Sequence, residues 1–179
     1  RKNVIYGTIK KIRHEVRRVG PMAHIKILKR KRLDEKLNEL RQFPLTVVTA
    51  PMGFGKTTAV RTFLNAREIP YIWLAMTESI RIAASEYFWF LLVKGVRQIS
   101  ADFADSLQEL GFPNDSVQIS RIIDLIGSKK PEQGLTVVID DYYLIENAQI
   151  DLFLEQLVLA RIPWLHIVLV GRKVPEIHI

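Results

Sequence analysis

Ala50-Pro51-Met52-Gly53-Phe54-Gly55-Lys56-Thr57-Thr58 decides how this chain is read. A small residue, four intervening positions and then Gly-Lys-Thr is the frame of a phosphate-binding loop. The β-branched run Leu45-Thr46-Val47-Val48-Thr49 precedes it and reads as a buried strand, and Thr57 to Ala66 follows without a helix breaker. Strand, glycine-rich loop and helix is the context this motif requires. Gly53 and Gly55 lack Cβ, so the backbone can turn successive N–H groups toward an anion. The helix starting near Lys56 points its positive dipole end at the same place. Lys56 would reach the β- and γ-phosphates as a point charge. The Thr57 hydroxyl would ligate Mg²⁺, and Thr58 could add a hydrogen bond to phosphate. Residues 50–58 therefore read as a nucleoside triphosphate site, with Ala50 in place of the usual first glycine.

A metal-handling acid should lie elsewhere. Leu135-Thr136-Val137-Val138-Ile139 is a second continuous apolar run, and it ends in Asp140-Asp141. Ligands bind at the carboxyl ends of such buried parallel strands. Asp140 is the candidate Mg²⁺ ligand, mostly through water, and Asp141 the group to orient or deprotonate an attacking water. Taken alone, the pair could equally begin an exposed loop or cap a helix. A third strand, His166-Ile167-Val168-Leu169-Val170, runs into Gly171-Arg172-Lys173. Arg172 either touches a γ-phosphate or is a solvated loop residue, and the sequence leaves both open.

Composition narrows the class. The 179 residues are 48% apolar, enough to bury a sizeable core, and they hold no cysteine. Disulfides, thiolate zinc sites and thiol catalysis are excluded. The longest apolar stretch, Tyr87 to Val93, is stopped by Lys94 and is too short to span a bilayer. No membrane role is expected, and a cytoplasmic location is. His14, His24, His166 and His178 show no metal-ligand spacing and read as surface or strand-end residues. Residues 1–41 carry 14 Lys/Arg against four Asp/Glu, so the overall charge of +7 belongs to the amino-terminal arm. Its densest part, Lys29-Arg30-Lys31-Arg32, could contact nucleic acid or acidic lipid, or simply be solvated. Tyr6 is the only aromatic before Phe43, so the interleaving of single-strand binders is missing.

Residues 1–28 read as an irregular basic lead-in and residues 29–179 as one nucleotide-binding domain, expected to be a piece of a longer protein. Leu33, Leu37 and Leu40 share a helix face that ends before Pro44. Tyr71 to Ala75 reads as another strand. Helices are expected over Ala84 to Ile99, 101–110, 116–127 and Ala148 to Ala160. The first of these is apolar nearly all round in its first half and should be buried, its aromatics serving as core. Alternating strands and helices predict an α/β fold, a three-layer sandwich of the P-loop NTPase type with a mostly parallel sheet.

With those residues in place, the chain resembles the nucleotide-binding domain of MalT-type signal-transduction ATPases, found in bacterial LuxR-type transcription activators. The resemblance rests on Lys31-Arg32-Leu33, on Val48-Thr49-Ala50-Pro51 running into Gly53 to Thr58, on Tyr71-Ile72-Trp73-Leu74, on Val138-Ile139-Asp140-Asp141-Tyr142, and on the strand ending in Arg172. The family's loop also begins with Ala, so Ala50 fits. After Trp73-Leu74 the family usually turns acidic, whereas Ala75-Met76-Thr77-Glu78 is less so. The resemblance implies an ATP/ADP switch with weak, regulatory hydrolysis. It also implies self-association in the ATP state and DNA binding through a region outside these residues. Lys56, Thr57, Asp140 and Arg172 match the family's phosphate, magnesium, acidic and sensor positions. A DNA-stimulated P-loop ATPase or motor is the alternative, and a scaffold with a degenerate site is a third reading.

Overall fold

A computed structural model of the chain describes residues 3–6, 35–77, 83–129, 131–145 and 147–174. Five strands form one sheet: β1 (Asn3–Tyr6), β2 (Leu45–Thr49), β3 (Tyr71–Ala75), β4 (Leu135–Asp140) and β5 (Leu165–Gly171). Their order across the sheet is β1-β2-β5-β4-β3, and every pairing is parallel. Thr49 lies opposite Gly171, and Ala75 opposite Asp140. The carboxyl ends of β2, β5 and β4 therefore stand side by side.

The helices with bounds inside the described residues are α1 (Lys56–Ala66), α2 (Ala84–Arg97), α3 (Ala101–Leu110), α4 (Ser116–Ser128) and α5 (Ala148–Leu159). Strand alternation sorts the core into two layers. Leu45, Val47, Ile72, Leu74, Val137, Ile139, Ile167 and Leu169 face α2 to α5, and Val48, Val138, Val168 and Val170 face α1 with Leu37 and Leu40. Burying side chains of this size stabilises by roughly 1.5–3 kcal/mol each. Helix, sheet and helix make the expected three-layer sandwich. β4 and β5 are buried at every position, as strands covered on both faces should be.

Local chemistry sets the helix boundaries. Ser100, Asp115 and Asn147 each accept a backbone N–H at the start of α3, α4 and α5. In α2 the rings of Phe88 and Trp89 pack edge-to-face with Phe112 and Phe153 at centroid distances of 6.0–6.4 Å. Those aromatics are core, as expected, but Phe90 is 56% exposed, so α2 is not buried all round.

The lead-in reading needs one correction. Asn3–Tyr6 pairs with β2 as an edge strand instead of being irregular. Three consecutive β-formers, Val4-Ile5-Tyr6, are a weak signal beside the charged residues that follow. Residues 7–34 lie outside the described residues, and with them the Lys29–Arg32 cluster, Leu33, His14 and His24; Glu78 and His178 do as well.

Candidate functional site

The loop leaves β2 at Ala50, a buried residue whose N–H donates to the Gly171 carbonyl at 3.4 Å. It reaches α1 through two left-handed residues, Gly53 (φ 77°) and Gly55 (φ 69°). A Cβ at Gly53 would meet nothing within 4 Å, so conformation, not crowding, calls for glycine there. Gly55 is the N-cap of α1, and no side chain caps this helix. Its first turn holds no acid but begins with Lys56. A cation at the positive end of a helix dipole is locally unfavourable. An anion placed there would reverse that.

Lys56 Nζ donates to the carbonyls of Ala50 (2.8 Å) and Pro51 (3.2 Å). The ammonium is thus folded over the loop entrance, and one of its three donors is left for another acceptor. Thr57 Oγ1 donates to Asp140 Oδ1 at 3.3 Å, across 83 residues of sequence. This contact joins the phosphate-loop helix to the acidic strand end. Asp140 is 7% exposed and also accepts the Asp141 N–H at 3.1 Å. Burial pushes its carboxyl above the usual carboxylate range. The Thr57 bond opposes that rise, the Asp141 charge adds to it, and the Asp141 N–H and Lys56 oppose it. A buried carboxylate beside a hydroxyl offers oxygens suited to a hard cation, and the nearby ammonium suits the phosphate such a cation would carry.

The remaining candidates lie around this centre. Asp141 has φ 55° and is half-buried, turning the chain from β4 into a short helical turn, Tyr142–Leu144. Pro51 and Thr58 are exposed, Met52 is 74% exposed, and Phe54 is half-buried. Arg172 directly follows β5, the strand between those ending at the loop and at Asp140. Its guanidinium lies over the Tyr143 ring, 4.9 Å from the centroid. Sequence reasoning missed that partner, because nothing in the run Asp140 to Tyr143 says which ring faces β5. The Lys56 contacts to loop carbonyls were missed too, since they depend on how the loop curls.

Among the described residues no group of three or more His, Asp or Glu could hold a metal ion. No described helix is long and apolar enough to cross a membrane. His166 is buried at the start of β5, with Nδ1 3.2 Å from the Phe43 carbonyl; of the two expectations it is the strand-end residue and not the surface one.

No protein-family profile matches the chain. Over 155 residues it is 26% identical to the HTH-type transcriptional regulator MalT of Cronobacter sakazakii (strain ATCC BAA-894), a stretch covering 84% of this chain and 16% of that protein. The chain thus spans about a sixth of the length of that curated relative. Among solved structures, Cdc6p from Pyrobaculum aerophilum superposes with a TM-score of 0.51 at 13% identity, covering 84% of this chain and 42% of that one. At that identity the likeness concerns the fold alone. Together with the sheet and the loop, these findings make the chain an α/β domain of P-loop NTPase fold.

Proposed function

We propose that this domain is an ATP/ADP-binding switch with slow Mg²⁺-dependent hydrolysis, serving a signal-responsive bacterial transcription regulator. The observation that carries the reading is the 3.3 Å bond from Thr57 to Asp140, which brings the loop and the acidic strand end into one site beside Lys56. The similarity over 84% of the chain to a transcriptional regulator supports the regulatory half of the proposal.

Each residue has a task in it. The N–H groups from Gly53 to Thr58, with Ala50, Pro51, Met52 and Phe54 shaping the approach, cradle the phosphates. Lys56 exchanges its two carbonyl partners for phosphate oxygens, a stronger charge-assisted contact. Thr57 and Asp140 would hold Mg²⁺, Asp140 mostly through water, and the ion would supply positive charge beside the phosphates. Asp141 orients the attacking water. Arg172 reads the γ-phosphate, the one group by which ATP differs from ADP. Only residues that sense that difference can bias a conformational equilibrium. Self-association in the ATP state, DNA binding through regions outside this chain and a cytoplasmic location belong to the same proposal.

The test is titration of Mg-ADP and Mg-ATP into the wild-type protein and Lys56→Ala, with thermal unfolding matched between them. Micromolar or tighter binding that the variant loses supports the reading. A folded wild type that binds neither nucleotide sinks it.

A further inference from the structure

Arg172 rests on an aromatic face, and that face is held in place. Tyr143 is the middle residue of the turn Tyr142–Leu144, which starts two residues after Asp140. Tyr142 is buried and donates its hydroxyl to Asp151 on α5. Backbone bonds from Leu144 N–H to the Asp141 carbonyl (2.9 Å) and from Ile145 N–H to the Tyr142 carbonyl (3.0 Å) close the turn. On the other side, a Cβ at Gly171 would lie 3.7 Å from Tyr143 Cδ1, so the ring packs on the strand end from which Arg172 springs. The turn that carries Tyr143 therefore joins the carboxylate bonded to Thr57 with the candidate sensor arginine.

We infer that Tyr143 determines nucleotide specificity, holding Arg172 on its ring unless a γ-phosphate takes the guanidinium away. The inference rests on the nucleotide-switch reading. The exposed Arg172 guanidinium is held only weakly by the half-buried Tyr143 ring, whereas a guanidinium with phosphate oxygens forms a bidentate charge-assisted contact. The exchange is thus favourable but not free. ADP has no group to draw Arg172 off, so the ring contact survives in that complex. ATP must break it. A contact kept in one complex and lost in the other lowers affinity for the second alone. Tyr143 would tilt the site toward ADP by about two- to five-fold, the factor an exposed cation–π contact supplies.

The test measures Mg-ADP and the Mg complex of β,γ-imido-ATP binding to Tyr143→Leu and Tyr143→Phe, each with Arg172 and with Arg172→Ala. Tyr143→Leu should bind the triphosphate analogue about two- to five-fold tighter, with ADP affinity unchanged. Tyr143→Phe keeps the ring and should match the wild type. In the Arg172→Ala background neither Tyr143 change should alter the ratio. A second readout needs no Tyr143 variant: the ring-proton resonance of Tyr143 should move on Arg172→Ala. It should move the same way when the analogue binds to wild type, and stay put with ADP. Equal effects on both nucleotides, an effect that persists without Arg172, or a ring signal blind to the analogue overturns the inference. A wild type that binds both nucleotides while Tyr143→Leu changes neither overturns it alone. A wild type that binds neither overturns the phosphate-loop reading with it.

Discussion

At the carboxyl end of the sheet, Lys56 and Thr57, Asp140, and Arg172 arrive behind three neighbouring strands, and two of those groups are bonded to each other. At the amino end there is room as well. A cleft of about 480 Å³ opens beside Pro70, Phe103 and Trp164, and one of about 450 Å³ lies between Arg41, Arg161 and His166. Yet the polar groups there close on backbone. Arg41 donates to the Gln133 carbonyl at 2.6 Å, and His166 Nδ1 sits 3.2 Å from the Phe43 carbonyl. Close to that end, the hydroxyls of Thr46 and Thr136 and the Trp164 indole N–H are buried without a partner among the described residues. Volume does not locate chemistry in this molecule. Convergence of side chains from separate elements does.

Five substitutions can break or sharpen that contrast. Lys56→Ala should weaken Mg-nucleotide binding roughly 10- to 100-fold, what one charge-assisted hydrogen bond is worth, and leave the unfolding temperature almost unchanged. If Arg41→Ala weakened binding as much, the two ends would not differ in kind. Gly134→Ala should do the reverse. Gly134 has φ 72°, and a Cβ there would lie 2.8 Å from Arg41 Nη2 and 2.9 Å from the Trp164 carbonyl. That carbonyl is itself fixed by the Leu135 N–H at 2.8 Å. A loss of about 2 kcal/mol in denaturant unfolding is expected, with nucleotide affinity of the folded protein retained.

Thr136→Val replaces a fully buried hydroxyl that has no partner among the described residues, in a strand that already favours valine. It should raise stability by about 1 kcal/mol. A loss instead would reveal a bond that the Thr136 hydroxyl makes in solution.

The smallest effect concerns pH. Burial lowers the His166 pKa below its ordinary value of 6.5, with Arg41 adding to the fall and the Phe43 carbonyl opposing it. The unfolded chain then takes up a proton that the folded site refuses. The His166 contribution is present above pH 6.5 and is lost as pH falls toward the folded value. Wild-type stability should therefore drop below about pH 6.5 more steeply than that of His166→Gln. Parallel pH profiles for the two proteins would rule out this account of His166.

Much of the fold was legible because three strands, Leu45 to Thr49 and the runs ending at Asp140 and Gly171, are continuous apolar runs rich in β-branched residues that announce burial by composition alone. Tyr71 to Ala75, at the sheet edge, buries only alternate residues. Helices 101–110 and 116–127 were legible because Gly111-Phe112-Pro113 separates them; the caps from Ser100 and Asp115 that begin them emerge only with the structure. Asn3–Tyr6 was not legible: a four-residue strand at an edge carries too little pattern to compete with its surroundings. In the site, the residue types of the loop and the paired acids were readable because their chemistry is local. The partners were not. Whether Thr57 meets Asp140, or Arg172 meets Tyr143, depends on a strand order that brings together residues 83 and 29 positions apart. The exposure of Phe90 was hidden for a related reason, since a helix apolar on every side does not state which side a neighbour will leave uncovered.

The uncapped start of α1 has a consequence for the life of the protein as well as for its ligand. Three other helices carry their own side-chain caps, whereas here the bound phosphates would be the cap. Ligand that binds only the folded form adds stability by mass action, about 2.7 kcal/mol at a hundred times its dissociation constant. Copies deprived of nucleotide would open more often and be cleared sooner by proteases. Abundance would then follow nucleotide supply, a slow record of the same quantity the proposed switch would report quickly.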